Sequence, residues 1–212
     1  MRPFPKSVIR QYSKEFSVFK RLRTPGDVQD FLNGLKMNFE TTHERCRSPL
    51  LVLRDGKAHC MEGALLAAAA LWHQGRPPLL LDLKTADPDV DHVIALFKDG
   101  GRWGAVSKTN HAVLRYRDPV FANVRELVMS YFNEYFLDSG VKTLRSYSAL
   151  PFSMLRYGTK WLTAPDDLDD VVVALDHSHH ISILKKGVER RLRLAEPVEI
   201  KAGKIVEWKA KK

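Results

Sequence analysis

The sequence predicts an α+β domain in which one helix packs against an antiparallel β-sheet. An alanine-rich apolar stretch, long enough for a helix, begins at Cys60. Three short apolar segments follow it at residues 79–83, 92–97 and 103–107, and turn-forming residues separate them. Apolar runs of about 4–8 residues between turn signals are typical of buried strands. Together these observations predict a helix followed by three strands.

Thr24 is predicted to begin the first long helix. Threonine is a favoured N-cap residue, and Pro25 suits the first helical position, where no backbone donor is needed. An apolar stripe then recurs at helical spacing: Val28, Phe31, Leu32 and Leu35. We expect the basic residues 1–23 to pack on the domain through their apolar side chains, and residues 36–57 to be mostly irregular.

The two strands at 92–97 and 103–107 are predicted to form a hairpin. Asp99-Gly100 is a strong signal for a two-residue type I′ turn, in which both central residues need positive φ. In that register His92 lies opposite Ser107, and Leu96 lies opposite Trp103. Side chains directly opposite each other share a face of the sheet, at about 5 Å between Cβ atoms. This register therefore gives His92 a hydroxyl neighbour.

Two other registers of the hairpin stay open. A turn at Gly100-Gly101 places Thr109 opposite His92, which again supplies a hydroxyl. A β-bulge between the strands places Lys108 there instead. None of the three registers puts a carboxylate opposite the histidine.

The helix that begins at Cys60 has one face of small residues. That face recurs at helical spacing: Cys60, Ala64, Ala67, Ala68 and Leu71. Small side chains let a sheet approach the helix axis closely, which brings His92 towards the sulfur. Unpaired backbone N–H groups and the positive end of the helix dipole both favour a thiolate in the first turn. A thiolate beside a histidine is the general pattern of an activated nucleophile.

This pattern resembles the core of the transglutaminase-like superfamily, within the papain-like thiol enzymes. Members carry a cysteine at the start of an alanine-containing helix, then an H-x-x-V-x-V strand and a G-x-W-x-x-x-D segment. Cys60, Ala64, His92 and Trp103 match these positions, over about the middle quarter of the chain. The wider resemblance is to bacterial members. It implies a papain-like fold and a Cys-His pair that performs acyl transfer or hydrolysis on an amide or ester.

Ser107 stands where family members usually have an aspartate. That carboxylate orients the imidazole and stabilises its charged form, whereas a serine hydroxyl accepts the ring N–H without carrying charge. Asn110, Asp91 and Asp82 are candidate substitutes, although Asn110 has the wrong strand parity in both two-residue registers. The predicted catalytic residues are Cys60, His92 and Ser107, with Asn110, Trp103 and His59 as accessory residues.

The sequence supports three hypotheses for the function of this protein. The leading hypothesis is thiol-dependent chemistry on an unknown peptide, protein or small-molecule amide or ester. The second is a binding module that has lost the acid residue, and Cys60 also has a structural interpretation as a small buried core thiol. The third is a basic nucleic-acid-associated protein, which the net charge of +9 permits. It is not favoured, because no recognisable nucleic-acid-binding module accompanies that charge.

We predict no cofactor, no metal site and no membrane association. His177, His179 and His180 invite a metal interpretation, but their spacing matches no established metal frame. The longest apolar run, at residues 64–72, is far shorter than the roughly 20 residues that span a bilayer. With two cysteines and no signal-peptide pattern at the start, the sequence fits a cytoplasmic protein.

The whole chain, residues 1–212, is predicted to form one domain. Its core covers about residues 24–118, and a helical and β-rich extension covers about residues 119–212. In that extension we expect a helix over 120–137, a strand over 188–194 and a closing hairpin over 198–208. The segment at 171–175 is predicted to be either a buried strand or a helical turn.

Overall fold

Helices and strands are both abundant in the computed structural model of the chain, which describes residues 2–39 and 45–209. The predicted α+β class is therefore confirmed. In chain order the α-helices are Lys6–Gln11 (α1), Ser13–Phe16 (α2), Pro25–Gly34 (α3), Pro49–Asp55 (α4), Cys60–His73 (α5), Val124–Tyr131 (α6), Asp169–Asp176 (α7) and Pro197–Gly203 (α8). None of the helices in these residues is long and apolar enough to cross a membrane.

The strands form one large antiparallel sheet and one short parallel pair. In chain order they are Lys36–Met37 (β1), Lys57–Ala58 (β2), Leu79–Thr85 (β3), His92–Asp99 (β4), Arg102–Val106 (β5), Arg117–Phe121 (β6), Leu144–Ser148 (β7), Phe152–Ser153 (β8) and His180–Ser182 (β9). The large sheet has the order β6-β5-β4-β3-β7-β9, and β8 also pairs with β3. Strands β1 and β2 pair in parallel, which ties the segment after α3 to the residues just before α5.

The large sheet has a hydrophobic core on each face, and α5 lies in one of them. Ala95 and Phe97 of β4 pack on the α5 side, whereas Ile94 and Leu96 pack on the α6 side. Helix α5 is buried along almost its whole length, because the sheet, α3 and α4 surround it. Its run of alanines allows this close approach, as the sequence predicts. The first turn of α5 is thereby fixed at one end of the sheet.

Helix α3 begins where its sequence predicts. The Thr24 hydroxyl accepts a hydrogen bond from the Asp27 backbone N–H at 3.1 Å, and the Asp27 carboxylate accepts one from the Thr24 N–H at 2.8 Å. This reciprocal pair is a capping box, which pairs two otherwise free donors of the first helical turn. The N-terminal segment before it packs into the core through Phe4, Phe16 and Phe19, as expected.

The hairpin between β4 and β5 has the second of the three registers described above, not the first. Asp99 pairs with Arg102 and Lys98 pairs with Trp103, so the turn is Gly100-Gly101. Both glycines have positive φ, 53° and 78°, which a type I′ turn requires at its two central positions. Two glycines adopt that conformation more easily than Asp99 followed by a single glycine. The pairing of Leu96 with Trp103 was therefore wrong.

In the extension after residue 118, the first helix is shorter than expected and the segment at 171–175 is helical. The helix expected over 120–137 is shorter, because Val120 belongs to β6 and α6 begins only after Asn123. The Asn123 side chain caps this helix by accepting a hydrogen bond from the Glu126 N–H at 2.9 Å. The segment at 171–175 lies within α7.

The strand expected at 188–194 and the hairpin expected at 198–208 were wrong. The segment at 188–194 contains a short 3₁₀ turn, Glu189–Arg191, and the segment at 198–208 contains most of helix α8. Pro197 at the start of α8 and the capping box between Glu196 and Glu199 are the signals that indicate this helix.

The segment directly after β5 is locked against two helices. Lys108 is completely buried, and its ammonium group donates to the backbone carbonyls of Leu32 at 2.9 Å and Leu35 at 2.6 Å. A lysine at the end of a helix stabilises the unpaired carbonyl groups there. On its other side this lysine packs on Gly63 of α5, where a Cβ atom would lie 2.3 Å from the Lys108 Cβ. Residues 107 and 108 are thus held between α3 and α5.

Candidate active site

Cys60 is the first residue of α5, and its thiol group lies between two histidines. His59, the N-cap residue, and His92, the first residue of β4, both interact with the thiol and lower its pKa. The cysteine is half-buried and free, and His92 is buried. Strand alternation places His92 on the face of the sheet that carries Ile94. Its ring can still meet the thiol because it stands at the end of the strand, next to the start of α5.

The two histidines make Cys60 acidic. Burial alone would raise the pKa of the thiol, but the hydrogen bonds and positive charges of His59 and His92 lower it to about 5. The start of a helix favours the thiolate in the same direction. Cys46 provides the contrast, because burial and the nearby Glu62 carboxylate raise the pKa of its thiol far above the ordinary value. At neutral pH the two cysteines therefore differ in protonation state.

His59 is held in place by the polypeptide on both sides of it. Its Nε2 lies 2.7 Å from the carbonyl oxygen of Arg45, and because a carbonyl only accepts, this nitrogen carries a hydrogen. Its backbone N–H donates to the buried Glu62 carboxylate at 3.1 Å. Burial alone would lower the pKa of the imidazole, but the Cys60 hydrogen bond and the nearby negative charges raise it to about 9. His59 is therefore a cation beside the thiolate.

A buried ion pair fixes the Glu62 carboxylate that supports His59. Glu62 is fully buried, and it accepts hydrogen bonds from the Arg47 guanidinium at 2.6 and 3.0 Å. Two parallel contacts of this kind hold a carboxylate in one orientation. The sequence gives no signal for this pair, since Arg47 lies in the segment that was expected to be irregular.

Ser107 fixes the protonation of the His92 ring. The Ser107 hydroxyl oxygen is 2.8 Å from His92 Nε2 and 2.6 Å from the carbonyl oxygen of Leu114. The carbonyl can only accept, so the single hydroxyl proton of Ser107 is donated to Leu114. Towards His92 the same hydroxyl is then an acceptor, and Nε2 carries the hydrogen. This arrangement leaves Nδ1 as the ring nitrogen that can exchange a proton with Cys60.

The Leu114 carbonyl reaches Ser107 through a rare backbone conformation. Leu114 has a φ of 61°, and it is the only non-glycine residue with positive φ in the described part of the chain. Its N–H donates to the Glu134 carboxylate at 2.7 Å. Glu134 in turn forms an ion pair with Arg117 at 2.6 Å. Left-handed backbone at a residue with a branched side chain persists only where neighbouring contacts hold it, and such residues are frequent at functional sites.

Gln29 of α3 positions the backbone of Ser107. Its carboxamide accepts from the Ser107 N–H at 2.9 Å and donates to the Ser107 carbonyl at 2.8 Å. Gln29 is buried, so both backbone groups would lack a partner without it. The strand ladder ends at Val106, and Ser107 contacts His92 from the segment beyond it, not as a directly paired residue. The expected hydroxyl neighbour of His92 is present, although the predicted pairing was not.

Two adjoining cavities meet at the thiol. One has a volume of about 580 Å³, the other has a volume of about 480 Å³, and Cys60 lines both. Met37 on one side and residues 89–91 on the other also line both cavities. The two cavities therefore adjoin at Cys60 and share several lining residues. The larger cavity is rich in aspartate, whereas the smaller one contains His92 and the aromatic side chains of Tyr135 and Phe136.

Comparisons with known proteins find distant likenesses to solved structures. No protein-family model and no curated protein matches the chain. A solved structure of Legionella pneumophila LapG aligns at 16% identity with a TM-score of 0.36, covering 46% of this chain and 65% of LapG. EGTA-treated LapG aligns at 13% identity and a TM-score of 0.42, with coverages of 71% and 86%. Calcium-bound LapG aligns at 13% identity and 0.35, with coverages of 51% and 66%.

The likeness is distant. In the first of these alignments the chain spans less than two thirds of the length of LapG.

The predicted accessory residues have different positions in the structure. His59 contacts the thiol. Trp103 stands four residues before Ser107 on β5, roughly 13 Å away along an extended strand, where its ring packs against the Lys98 ammonium. The match of Trp103 to the family pattern therefore does not bring its side chain to Cys60.

Asn110 lines the smaller cavity, but its carboxamide is engaged elsewhere. It accepts from the Trp208 N–H at 2.8 Å and donates to the Trp208 carbonyl at 3.0 Å. Its own carbonyl accepts from the Glu207 N–H at 2.9 Å. Asn110 thus anchors the C-terminal segment beside the site and is not the partner of His92.

Neither candidate aspartate replaces the missing acid. The Asp82 carboxylate lies 3.2 Å from His180 Nε2, and the Asp91 carboxylate accepts from Lys84 at 2.7 Å. His180 is thus the member of the C-terminal histidine cluster with a buried partner. In residues 2–39 and 45–209, no group of three or more His, Cys, Asp or Glu side chains is arranged to hold a metal ion.

Proposed function

We propose that this protein uses Cys60 to attack the carbonyl carbon of an amide or ester, and passes the acyl group to water or to an amine. The observation that supports this function best is the half-buried thiol between two imidazoles, where the pKa of the thiol is lowered to about 5. The thiolate is the reactive form of cysteine, and here it stands where two cavities meet. A cysteine that only fills space in the core requires neither a lowered thiol pKa nor a position beside two cavities.

His92 moves the proton in this proposal. Its Nδ1 has already taken the thiol proton before the attack, so Cys60 is a thiolate when it forms the bond to the acyl carbon. When the tetrahedral intermediate collapses, the bond to the leaving group breaks, and His92 returns the proton to the departing amine or alcohol. Water or an amine then attacks the thioester, gives its proton to His92, and releases the acyl product and the thiol.

Ser107 orients His92 but carries no charge. In a serine protease, replacing the aspartate of the triad by a neutral asparagine lowers turnover by about 10⁴. The cation at His59 compensates for part of such a loss, because it stabilises the thiolate directly and does not depend on Ser107. We expect slower acyl transfer than an enzyme with a third-member carboxylate would give.

The proposal is tested by trapping an acyl-enzyme. The protein is mixed with an activated ester, quenched in acid and digested, and mass spectrometry locates the acyl group. We expect one acyl group on Cys60, none in Cys60→Ala, and unchanged acylation in Cys46→Ala. Acyl groups spread over surface lysines, with none on Cys60, would contradict the proposal.

A second candidate is a binding module that has lost turnover, and the neutral Ser107 favours it. Such a protein would still have an acidic thiol but would not release an acyl group from it. The two candidates separate in a chase experiment. Loss of the acyl group from Cys60 after the ester is removed, faster than from a denatured control, supports catalysis, whereas a stable thioester supports the binding module.

A further inference from the structure

The hydroxyl group of Tyr135 is a buried polar atom that lacks a hydrogen-bond partner in the part of the chain that the structure describes. Its side chain is 3% exposed and lines the cavity that also contains Cys60 and His92. Three other buried side-chain atoms lack a partner in the same residues, on Asp167, Ser178 and Trp208. None of those three residues lines either cavity at the thiol. Tyr135 thus lines the reactive cleft and carries a buried, unpaired hydroxyl.

The position of Tyr135 is fixed by its backbone and by its ring. It follows directly on the 3₁₀ turn Phe132–Glu134, and its carbonyl accepts from the Thr143 N–H at 3.1 Å. Its ring packs in the hydrophobic core on the α6 side of the sheet, with Leu144 among its neighbours. The hydroxyl therefore stays at one place in the cleft wall. Buried polar groups are almost always paired, so an orphan of this kind calls for a partner that arrives from outside.

The chemistry of this hydroxyl restricts what that partner is. Burial raises the pKa of Tyr135 well above its ordinary value, and the negative charge of the Cys60 thiolate raises it further. The group remains protonated and can donate a hydrogen bond near the sulfur. The thiolate already receives hydrogen bonds from His59 and His92. The remaining acceptor in the proposed reaction is the carbonyl oxygen of the acyl group.

We propose that the Tyr135 hydroxyl donates a hydrogen bond to the carbonyl oxygen of the acyl group on Cys60; this inference rests on the proposed function. As the S–C bond forms, the electron pair of the C=O double bond moves to the oxygen, which becomes an oxyanion. Tyr135 and the backbone N–H of Cys60, in the first turn of α5, both donate to it without giving up their protons. When the intermediate collapses, the electron pair returns, and the leaving group takes its proton from His92. Tyr135 is thus a catalytic residue in this proposal.

Tyr135→Phe removes the hydroxyl alone, and two reactions of the same thiol separate its roles. Acylation by an activated ester passes through an oxyanion, whereas alkylation by iodoacetamide displaces iodide at a saturated carbon and forms none. We expect the rate constant of acylation to fall by about 10²–10³, the usual effect of losing one oxyanion donor. The alkylation rate constant and its pH midpoint should stay unchanged. The melting temperature should not fall, because no hydrogen bond is lost in the free protein.

Tyr131→Phe is the matched control, because its hydroxyl donates to the Arg115 carbonyl at 2.9 Å. That variant should lose stability but keep both rate constants. Equal acylation by wild type and Tyr135→Phe would overturn this inference alone. An equal fall in acylation and alkylation would also overturn it, since Tyr135 would then act on the thiol. Absence of any Cys60 acyl-enzyme in the wild type would overturn the proposed function and this inference together.

Discussion

The carboxamide of Gln29 hydrogen-bonds both backbone groups of Ser107, a residue 78 positions further along the chain. Helix α3 thereby holds the residue that orients His92, although no residue of α3 lines either cavity at the thiol. The position of His92 beside Cys60 thus depends on a helix that does not line either cavity.

Gln29→Met is expected to destabilise the fold and to slow acylation of Cys60. The change keeps the side-chain length but leaves the Ser107 N–H and carbonyl unpaired, at about 1–3 kcal/mol for each buried group. Urea denaturation measures the loss of stability, and the ester assay measures the loss of rate. Gln74→Met is the control, because Gln74 also binds backbone carbonyls, at 3.1 Å, but far from the site. Equal stability of Gln29→Met and wild type would show that the clamp is not needed.

Cys60 is expected to react with iodoacetamide much faster than Cys46 at neutral pH. The Cys60 thiol is half-buried and has a pKa of about 5, whereas Cys46 is buried and the pKa of its thiol is raised. A short labelling pulse followed by peptide mass spectrometry gives both rates. Faster labelling of Cys46, or equal labelling, is incompatible with an activated Cys60.

The alkylation rate of Cys60 is expected to reach half its maximum near pH 5, and His59→Gln should move this midpoint upwards. Removing a cation beside the thiolate raises the pKa of the thiol by about 1–3 units. Glutamine keeps a donor for the Arg45 carbonyl, so the start of α5 should be preserved. Rates measured from pH 4 to pH 9 give the midpoints. His177→Gln, which changes an exposed histidine, should leave the midpoint unchanged.

Stability is expected to rise between about pH 5 and 6.5 and then to level off, as far as the Cys60–His59 pair contributes. In the unfolded chain the thiol titrates at 9.0 and the imidazole at 6.5, whereas in the folded chain they titrate at about 5 and about 9. Between pH 5 and 6.5 the unfolded chain holds one more proton, so stability increases with pH. From pH 6.5 to pH 9 the folded and the unfolded chain bind the same number of protons, so the contribution of the pair to stability stays constant. Denaturation of wild type and of the Cys60→Ala/His59→Gln double variant, compared at each pH, isolates this contribution.

Substitutions at Ser107 should rank by whether they restore both of its hydrogen bonds. Ser107→Asn can accept from His92 and donate to the Leu114 carbonyl, so acylation should fall only a few-fold. Ser107→Ala removes the acceptor and should cost about tenfold, the value of one ordinary hydrogen bond. Ser107→Asp directs a carboxylate at the Leu114 carbonyl, two acceptors that repel each other, and we expect no gain. A large gain for Ser107→Asp would mean that Leu114 moves aside.

The sequence predicts the local parts of this site well. The small face of α5, the dipole at its first turn and the strand beginning at His92 follow from patterns of a few neighbouring residues, and all three are present. Three registers of the β4–β5 hairpin were compatible with the sequence, and the one with its turn at Gly100-Gly101 forms, because Gly101 competes with Asp99 for the turn. The difference in register does not change the contact between Ser107 and His92, because the β4–β5 ladder ends before Ser107.

The sequence does not predict the contacts that come from distant parts of the chain. Gln29, Leu114 and Tyr135 reach the site through packing of α3, of a left-handed loop residue and of the segment after α6. No periodicity or motif marks them, because each acts through a single contact that depends on the final fold. Tyr135 belongs to an aromatic stripe that is more often core than site, and its ring is indeed part of the core.

Gly63 of α5 packs directly against the Lys108 side chain, and this contact limits which residues can occupy position 63. A side chain at this position would overlap the Lys108 side chain, so we expect it to shift Lys108 and, through the chain, the neighbouring Ser107. A substitution one turn after Cys60 would thus affect the His92 imidazole through the residues that follow β5. We therefore expect sequences that keep this packing to combine a glycine three residues after the cysteine with a long side chain directly after the residue that contacts the histidine.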